Sequence, residues 1–273
     1  LKNPAQQGLS GLCCAGFVVY RGVVNLRNFA VREQDPYRPD LSLIAPELRR
    51  RMEAAAEEVV EIANDLAANN RNVVSALFDA EAPFYEWQHY PKGDVFDPVT
   101  HAQFYYHSHN GEWEEHGHFH TFMRAGGMPE NVQPVSHEGE DKQDWPEGKD
   151  ALSHLIGFSI DHHGLPARLF TTNRWVTGET FYPAEDVIAM LDRFDMNVAG
   201  PFEQTGRWLS AMCLLFRPQV EALLRERDET MAARAKIYAP TGKDIYEDRG
   251  LEVTSACEIS IMDQLQWLGL LED

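Results

Sequence analysis

Two runs of histidine at alternate positions carry the chemistry that is easiest to read in this chain. Tyr105-Tyr-His-Ser-His-Asn-Gly-Glu-Trp-Glu-Glu-His-Gly-His-Phe-His-Thr-Phe122 holds five of the eleven histidines, on either side of an Asn110-Gly111 turn signal. Side chains two apart on a β-strand share a face. His107 and His109 are therefore expected to project together, and so are His116, His118 and His120. If residues 110–115 form the loop of a hairpin, His109 faces His116 and His107 faces His118, with His120 opposite Tyr105, at cross-strand spacings of about 4.5 to 5.5 Å. A slip of one residue would put the two sets on opposite faces of the sheet.

Imidazole is a common transition-metal ligand, and a His-x-His pair joined by a third ligand from a neighbouring strand makes a three-ligand site with an open position. His101, Glu114, Glu115 and Asp161 are the further ligands or supporting acceptors in reach by sequence. The nitrogen and oxygen donor set favours zinc, iron, manganese or copper over an iron–sulfur cluster, in a mononuclear or dinuclear site. Glu114 or Glu115 is the acid/base candidate. The bland alternative is a wet sheet face on which histidines pair with carboxylates. His162 and His163, in a turn, read as exposed; His89 and His137 read as surface residues, and His154 as a strand start.

A second dense segment, Leu169-Phe-Thr-Thr-Asn-Arg-Trp-Val-Thr-Gly-Glu179, gathers a guanidinium, an amide, hydroxyls and an indole at a strand end. Arg174 could clamp a carboxylate or phosphate in bidentate fashion, with a catalytic role beside the metal, and Asn173, Trp175 and Thr177 could orient a small substrate. The competing reading is a strand terminus with a buried Trp. Arg227-Asp228 and Glu247-Asp-Arg249 read as internal ion pairs.

Elements must hold these residues in place. Pro46 opens an amphipathic helix whose Leu48, Met52, Ala55, Val59, Ile62 and Leu66 recur at steps of four and three, ending near Asn69-Asn70 or after a kink near Leu77. Aromatic and alternating runs predict strands at 84–90, 103–109, 116–123, 154–160 and 167–174. The turn residues of Ser159–Pro166 make the last pair antiparallel. Residues 126–150 lack any apolar period and read as an acidic insertion or lid. Helical period returns after Pro183 and again after Pro218, with a short strand near 252–257 and a last helix ending at Leu271. The fold class is thus α+β: an antiparallel sheet of about five strands over residues 84–175, packed against the long N-terminal helix and a C-terminal helical half. Residues 41–273 form one domain, and residues 1–40 an arm outside it.

A formal charge of −19 would repel a nucleic-acid backbone or an anionic membrane, which leaves a metal ion or small substrate as the partner. The four cysteines show no CxxC spacing, so neither a thiolate zinc site nor a disulfide framework is indicated, and a cytoplasmic location is the default. The apolar run Gly11–Tyr20 is shorter than the ~20 residues a membrane span needs. It reads as a buried strand or as an arm docking a protein partner, with targeting as the alternative.

His-Tyr-Pro at 89–91, Tyr-Tyr-His-x-His at 105–109, Glu-His-Gly-His-Phe-His-Thr-Phe at 115–122 and the 169–179 segment together resemble a bacterial family of domains of unknown function. The resemblance runs from about residue 45 to the C-terminus and implies that these segments form the family's core; it implies no chemistry. His107, His109 and Glu114 fit the spacing of the first cupin motif, but the flanking glycines and the second motif are absent. A metallo-β-lactamase motif would need Asp where Phe119 stands. Three classes follow: a metalloenzyme, oxidative chemistry being favoured by an aromatic wall of Tyr105, Tyr106, Trp113 and Phe119; a metal-binding or metal-delivery protein; and an accessory subunit with a structural metal.

Overall fold

The computed structural model describes residues 37–78, 85–109 and 114–271. The apolar run at 11–20, the arm over residues 1–36 and the loop residues Asn110, Gly111 and Trp113 lie outside the described residues.

Six strands form one antiparallel sheet in chain order: β1 (Tyr90–Phe96), β2 (Ala102–His107), β3 (Gly117–Arg124), β4 (Leu152–Ile160), β5 (Pro166–Thr172) and β6 (Val253–Glu258). The strand expected near 252–257 is therefore the sixth member of the sheet, paired with β5, and the count of five is corrected to six. β1 also lies later than the predicted 84–90. Tyr90-Pro-Lys-Gly-Asp-Val-Phe96 hides its strand behind Pro91 and Gly93, which only an edge strand tolerates well. Its pairing with β2 breaks between Tyr90 and Val95.

Among the described residues, α1 (Pro46–Ala68) and the helices α2 (Arg174–Thr177), α3 (Ala184–Leu191), α4 (Glu203–Leu215), α5 (Arg217–Tyr238) and α6 (Ile261–Leu268) complete the fold. Pro46 starts α1 where a missing N–H costs nothing, and Met52, Ala55, Val59, Ile62 and Leu66 are buried as the helical period requires. α1 packs on α4, α3 on α5, and α5 along β5 and β6. The helices cover one sheet face, on which Phe104, Tyr106, Phe119, Met123, Phe158 and Leu169 are buried. Trp208 of α4 meets Phe119 and Phe158 there. Residues 126–150 are tied to the body: Val135 N–H donates to Phe181 O, Asp244 N–H to Asp141 Oδ1, and Trp145 packs with Phe181 and Met231. No helix among the described residues is long and apolar enough to cross a membrane.

Candidate metal centre

The opposite face of the sheet carries the histidines, and pairing puts them there. Tyr105 lies across from His120 and His107 from His118 in the β2–β3 ladder, so the slipped register does not occur. One imidazole nitrogen from each of His107, His109 and His118 lies within 4.8 Å of the others. The ring centroids of His107 stand 5.1 Å from His109 and 4.4 Å from His118, and His109 stands 5.0 Å from His118. His107 Nε2 and His118 Nε2 share a hydrogen bond of 2.6 Å.

Glu115 fixes the chemistry of His118. Its Oε1 lies 2.6 Å from His118 Nδ1, which donates to it, and its Oε2 accepts from the Ser159 hydroxyl. With Nδ1 taken by the carboxylate, Nε2 of His118 is the nitrogen turned toward His107, the arrangement by which carboxylates orient and strengthen metal-binding imidazoles. Burial raises the Glu115 pKa, but the hydrogen bonds from His118 and Ser159 and the nearby imidazoles outweigh it, and the net shift is downward. Glu115 therefore meets His118 as an ionised support. Glu114, its neighbour, is exposed.

His120 lies on the same face, 5.2 Å from His107 and 5.0 Å from His118 by ring centroids, and is 1% exposed. Its Nδ1 lies 3.0 Å from His154 Nε2. Its Nε2 is buried and finds no hydrogen-bond partner among the described residues. His154 reaches this face through a bulge. The β3–β4 register shifts between Thr121 and Phe122, so Ile156 pairs with Thr121 and His154 with Phe122, and the extra residue turns His154 from the helix side to the histidine side. Gly157 has a local role here as well: a Cβ on it would stand 2.4 Å from the Phe170 ring, which lies edge-on to both His118 and His120.

Burial holds His107, His120 and His154 neutral. Burial, with the neighbouring His118, His109 and His89, pushes the His107 pKa down to about 2. Burial and the charges of Arg227 and His118 push that of His154 down to about 3, and burial with four neighbouring imidazoles lowers that of His120. Neutral nitrogen is what a metal requires. Ligands on one tetrahedral ion at ~2.05 Å would stand about 3.3 Å apart. The 2.6 Å pair and the 4.8 Å spread bracket that value, so the trio could hold a metal ion.

The family model described as domain of unknown function (DUF6969) matches residues 53–259. The chain belongs to that family. No curated protein and no solved structure is detectably similar to it. The DUF6969 span begins inside α1 and ends one residue past β6, so the whole sheet and every histidine of the centre lie within it.

His116 departs from the expected quadrilateral. The β2–β3 ladder stops at His107 and His118, and the chain bends at His116, whose N–H donates to Ile160 O. Its Nδ1 shares a 2.6 Å hydrogen bond with the Tyr106 hydroxyl, on the helix side. Gly117 makes that reach possible, because a Cβ there would stand 2.5 Å from the same hydroxyl. His101 sits at the far end of β2 against Gly126 and Phe96, and Asp161 accepts from the His163 and Leu165 N–H groups in the β4–β5 turn. His162 and His163 are exposed, as expected. The aromatic wall changes too: Tyr106 and Phe119 belong to the helix side, Trp113 is outside the described residues, and the rings beside the histidines are Tyr105, Phe122, Phe170 and Trp87. Trp87 stacks on His109 at 4.3 Å with 68% of its surface exposed.

Phe170 of the 169–179 segment meets the cluster, whereas the polar residues that follow it are bound to protein. Arg174 is buried, its Nη1 2.6 Å from Glu247 Oε1 and its Nε donating to Glu179 O. Asn173 caps α2 through its Oδ1 and donates from Nδ2 to Ile245 O, Trp175 Nε1 donates to Leu251 O, and Thr177 donates to Glu179 Oε1. Arg174 and Trp175 nonetheless line a cleft of about 530 Å³ with Asp141, Asp144, Glu247 and Arg249. The ion pairs expected at Arg227–Asp228 and Glu247–Arg249 form. Sequence reasoning missed Glu179 as a buried carboxylate. Burial pushes its pKa up to about 7 against the pull of Arg227 and of the His154 N–H it accepts at 2.6 Å. It also missed His89 and His154 as neighbours of the cluster, since neither stands at an alternating position of the hairpin.

Proposed function

We propose that the chain is a metal-dependent enzyme whose centre is His107, His109 and His118, with a coordination position left for water or a small substrate. The observation that carries this reading is the convergence of three imidazole nitrogens, His107 from β2, His118 from β3 and His109 from just past the end of β2, with one of the three braced by a buried carboxylate. A divalent zinc, iron, manganese or copper ion bound there supplies Lewis acidity to an oxygen it holds. The residues do the rest. Glu115 holds His118 in its ligating tautomer, Ser159 holds Glu115, and Phe170 and Trp87 shield the rings from bulk water. Glu114, the exposed chain neighbour of Glu115, is proposed as the acid/base group. With Tyr106 and Phe119 on the other face, the enclosure that favoured oxidative chemistry is reduced, and hydrolysis stands level with it. Arg174, with Trp175 beside it, is proposed to hold an anionic ligand in the cleft that the two line, with Asn173 and Thr177 setting its position from behind.

Elemental analysis of the purified chain and of His118→Ala tests the centre. The reading expects a stoichiometric transition metal that the variant loses; unchanged metal content in the variant would sink it. A second reading, metal binding or delivery without turnover, draws on the partial exposure of His107 and His109, which suits exchange. Screening the metal-loaded chain against ester, amide and phosphoester substrates, and under oxygen with iron or copper, separates the two, because only the enzyme shows metal-dependent turnover.

A further inference from the structure

His109 is the member of the trio that stands outside the strands. β2 ends at His107, where its ladder with β3 also stops. His107 and His118 face each other in that ladder, and Glu115 braces His118. The ring of His109 lies instead flat against the indole of Trp87, with centroids 4.3 Å apart and planes 9° from parallel.

Neither burial nor backbone preference accounts for Trp87 at this place. It is 68% exposed, so it removes little apolar surface from water. Its φ of 68 lies in the left-handed region, a genuine outlier for so bulky a side chain. Such strain persists where surrounding contacts over-determine it, and it gathers at functional sites. Those contacts are present on both sides of the residue. Trp87 N–H donates to Ser108 O at 2.9 Å, which registers the turn on the residue between His107 and His109. Two residues earlier, Tyr85 N–H donates to the Tyr90 hydroxyl at 2.6 Å. Two residues later, His89 stacks on Tyr105 with centroids 3.6 Å apart, and its Nδ1 lies 2.9 Å from Asp94 Oδ1. Asp94, itself left-handed at φ 60, is held in turn by Gln103 Nε2, which donates to its Oδ2 at 2.7 Å.

We propose that Trp87 is a positioning residue of the metal centre: its indole, clamped by the 85–94 segment, fixes the ring plane of His109 and so prepares the ligand that the β2–β3 ladder does not reach. This rests on the trio being a metal site. An imidazole carries its nitrogens in the ring plane, so a partner that holds the ring by its face sets the direction of those nitrogens without using one. A ligand whose rotamer is already locked by packing avoids the ordering cost that a free side chain meets when the metal arrives.

The test uses the full chain stripped with chelator and titrated with Co²⁺, followed by the visible absorption of the bound ion, with melting curves of the metal-free chain alongside. Trp87→Ala should weaken Co²⁺ binding by about 10-fold and change the visible spectrum, while the melting temperature of the metal-free chain stays the same. Trp87→Phe keeps a ring over His109 and should restore most of the affinity. In a His109→Ala background, Trp87→Ala should cost nothing further, because its effect passes through that imidazole. Wild-type affinity and spectrum in Trp87→Ala would overturn the role and leave the trio standing. An equal loss with and without His109, or a Phe variant as weak as the Ala variant, would overturn it as well. A wild-type chain that binds no Co²⁺ would overturn both this role and the metal centre.

Discussion

Along β3 the two faces of the sheet are equally shut off from water and chemically opposite. Phe119 and His120 are adjacent in the chain and are 0% and 1% exposed, yet one packs under Trp208 of α4 and the other joins an array of imidazoles. Burial alone therefore does not distinguish stabilising residues from chemical ones in this sheet; the partner on each face does. On the helix side burial removes apolar surface from water and contributes stability. On the histidine side the same burial holds imidazoles neutral, which costs stability in acid and prepares them to bind a metal.

The comparison can be broken most sharply by truncating each face. Phe119→Ala should lower stability by about 3 to 5 kcal/mol, measured by urea unfolding, while the folded fraction keeps its metal content. Loss of metal from that folded fraction would show that the faces are not independent. His107→Ala should do the reverse, with metal affinity down at least ~100-fold, about 2.7 kcal/mol, in a calorimetric titration, and a smaller change in the stability of the metal-free chain. Glu115→Gln should weaken metal binding by about 10- to 100-fold, less than loss of a ligand; equal losses would make Glu115 a ligand rather than a support.

Acid sharpens the comparison without any mutation. The pKa values of His107, His116, His120 and His154 are all lowered by folding, whereas unfolded histidine titrates near 6.5. Below about pH 6.5 the unfolded chain takes up protons that the folded chain refuses, so stability present above that pH is lost as pH falls toward 3. Each such histidine contributes at most about 1.4 kcal/mol per pH unit. Glu179 acts in the opposite sense. Its pKa rises from 4.5 to about 7, so its contribution is complete below 4.5 and lost as pH rises through 7. Four histidines against one glutamate predict that the melting temperature of the metal-free chain falls between pH 6.5 and 4.5; a flat profile there would refute the neutral, buried assignment. Bound metal should shift this loss to lower pH before it is released. The smallest effect belongs to His116→Gln. Removing a ring that meets Tyr106 on the helix side should cost about 1 kcal/mol and leave metal affinity unchanged.

Where the chain keeps strict alternation or helical period, the sequence is a sufficient guide. The spacing of His107, His118 and His120 around one turn sets the cross-strand partners, because a one-residue slip would also have exposed Phe104, Phe119 and Met123. The heptad-like stripe from Met52 to Leu66 sets α1. What escaped were the places where the backbone leaves its period. The bend at His116 turns one histidine to the other face, the bulge at Thr121/Phe122 brings His154 in, and the left-handed Asp94 aims a carboxylate at His89. Each is a one-residue irregularity whose cost is met by contacts distant in sequence, and a local pattern carries no record of those contacts.

The sequence by itself determined that a dense imidazole set would share a strand face, because strand geometry acts between residues two apart. Only the tertiary structure decided which imidazoles belong to that set. Membership depends on Tyr106 reaching across Gly117, on Glu115 reaching Ser159 and on β4 lying beside β3, and those are contacts between segments that only packing brings together.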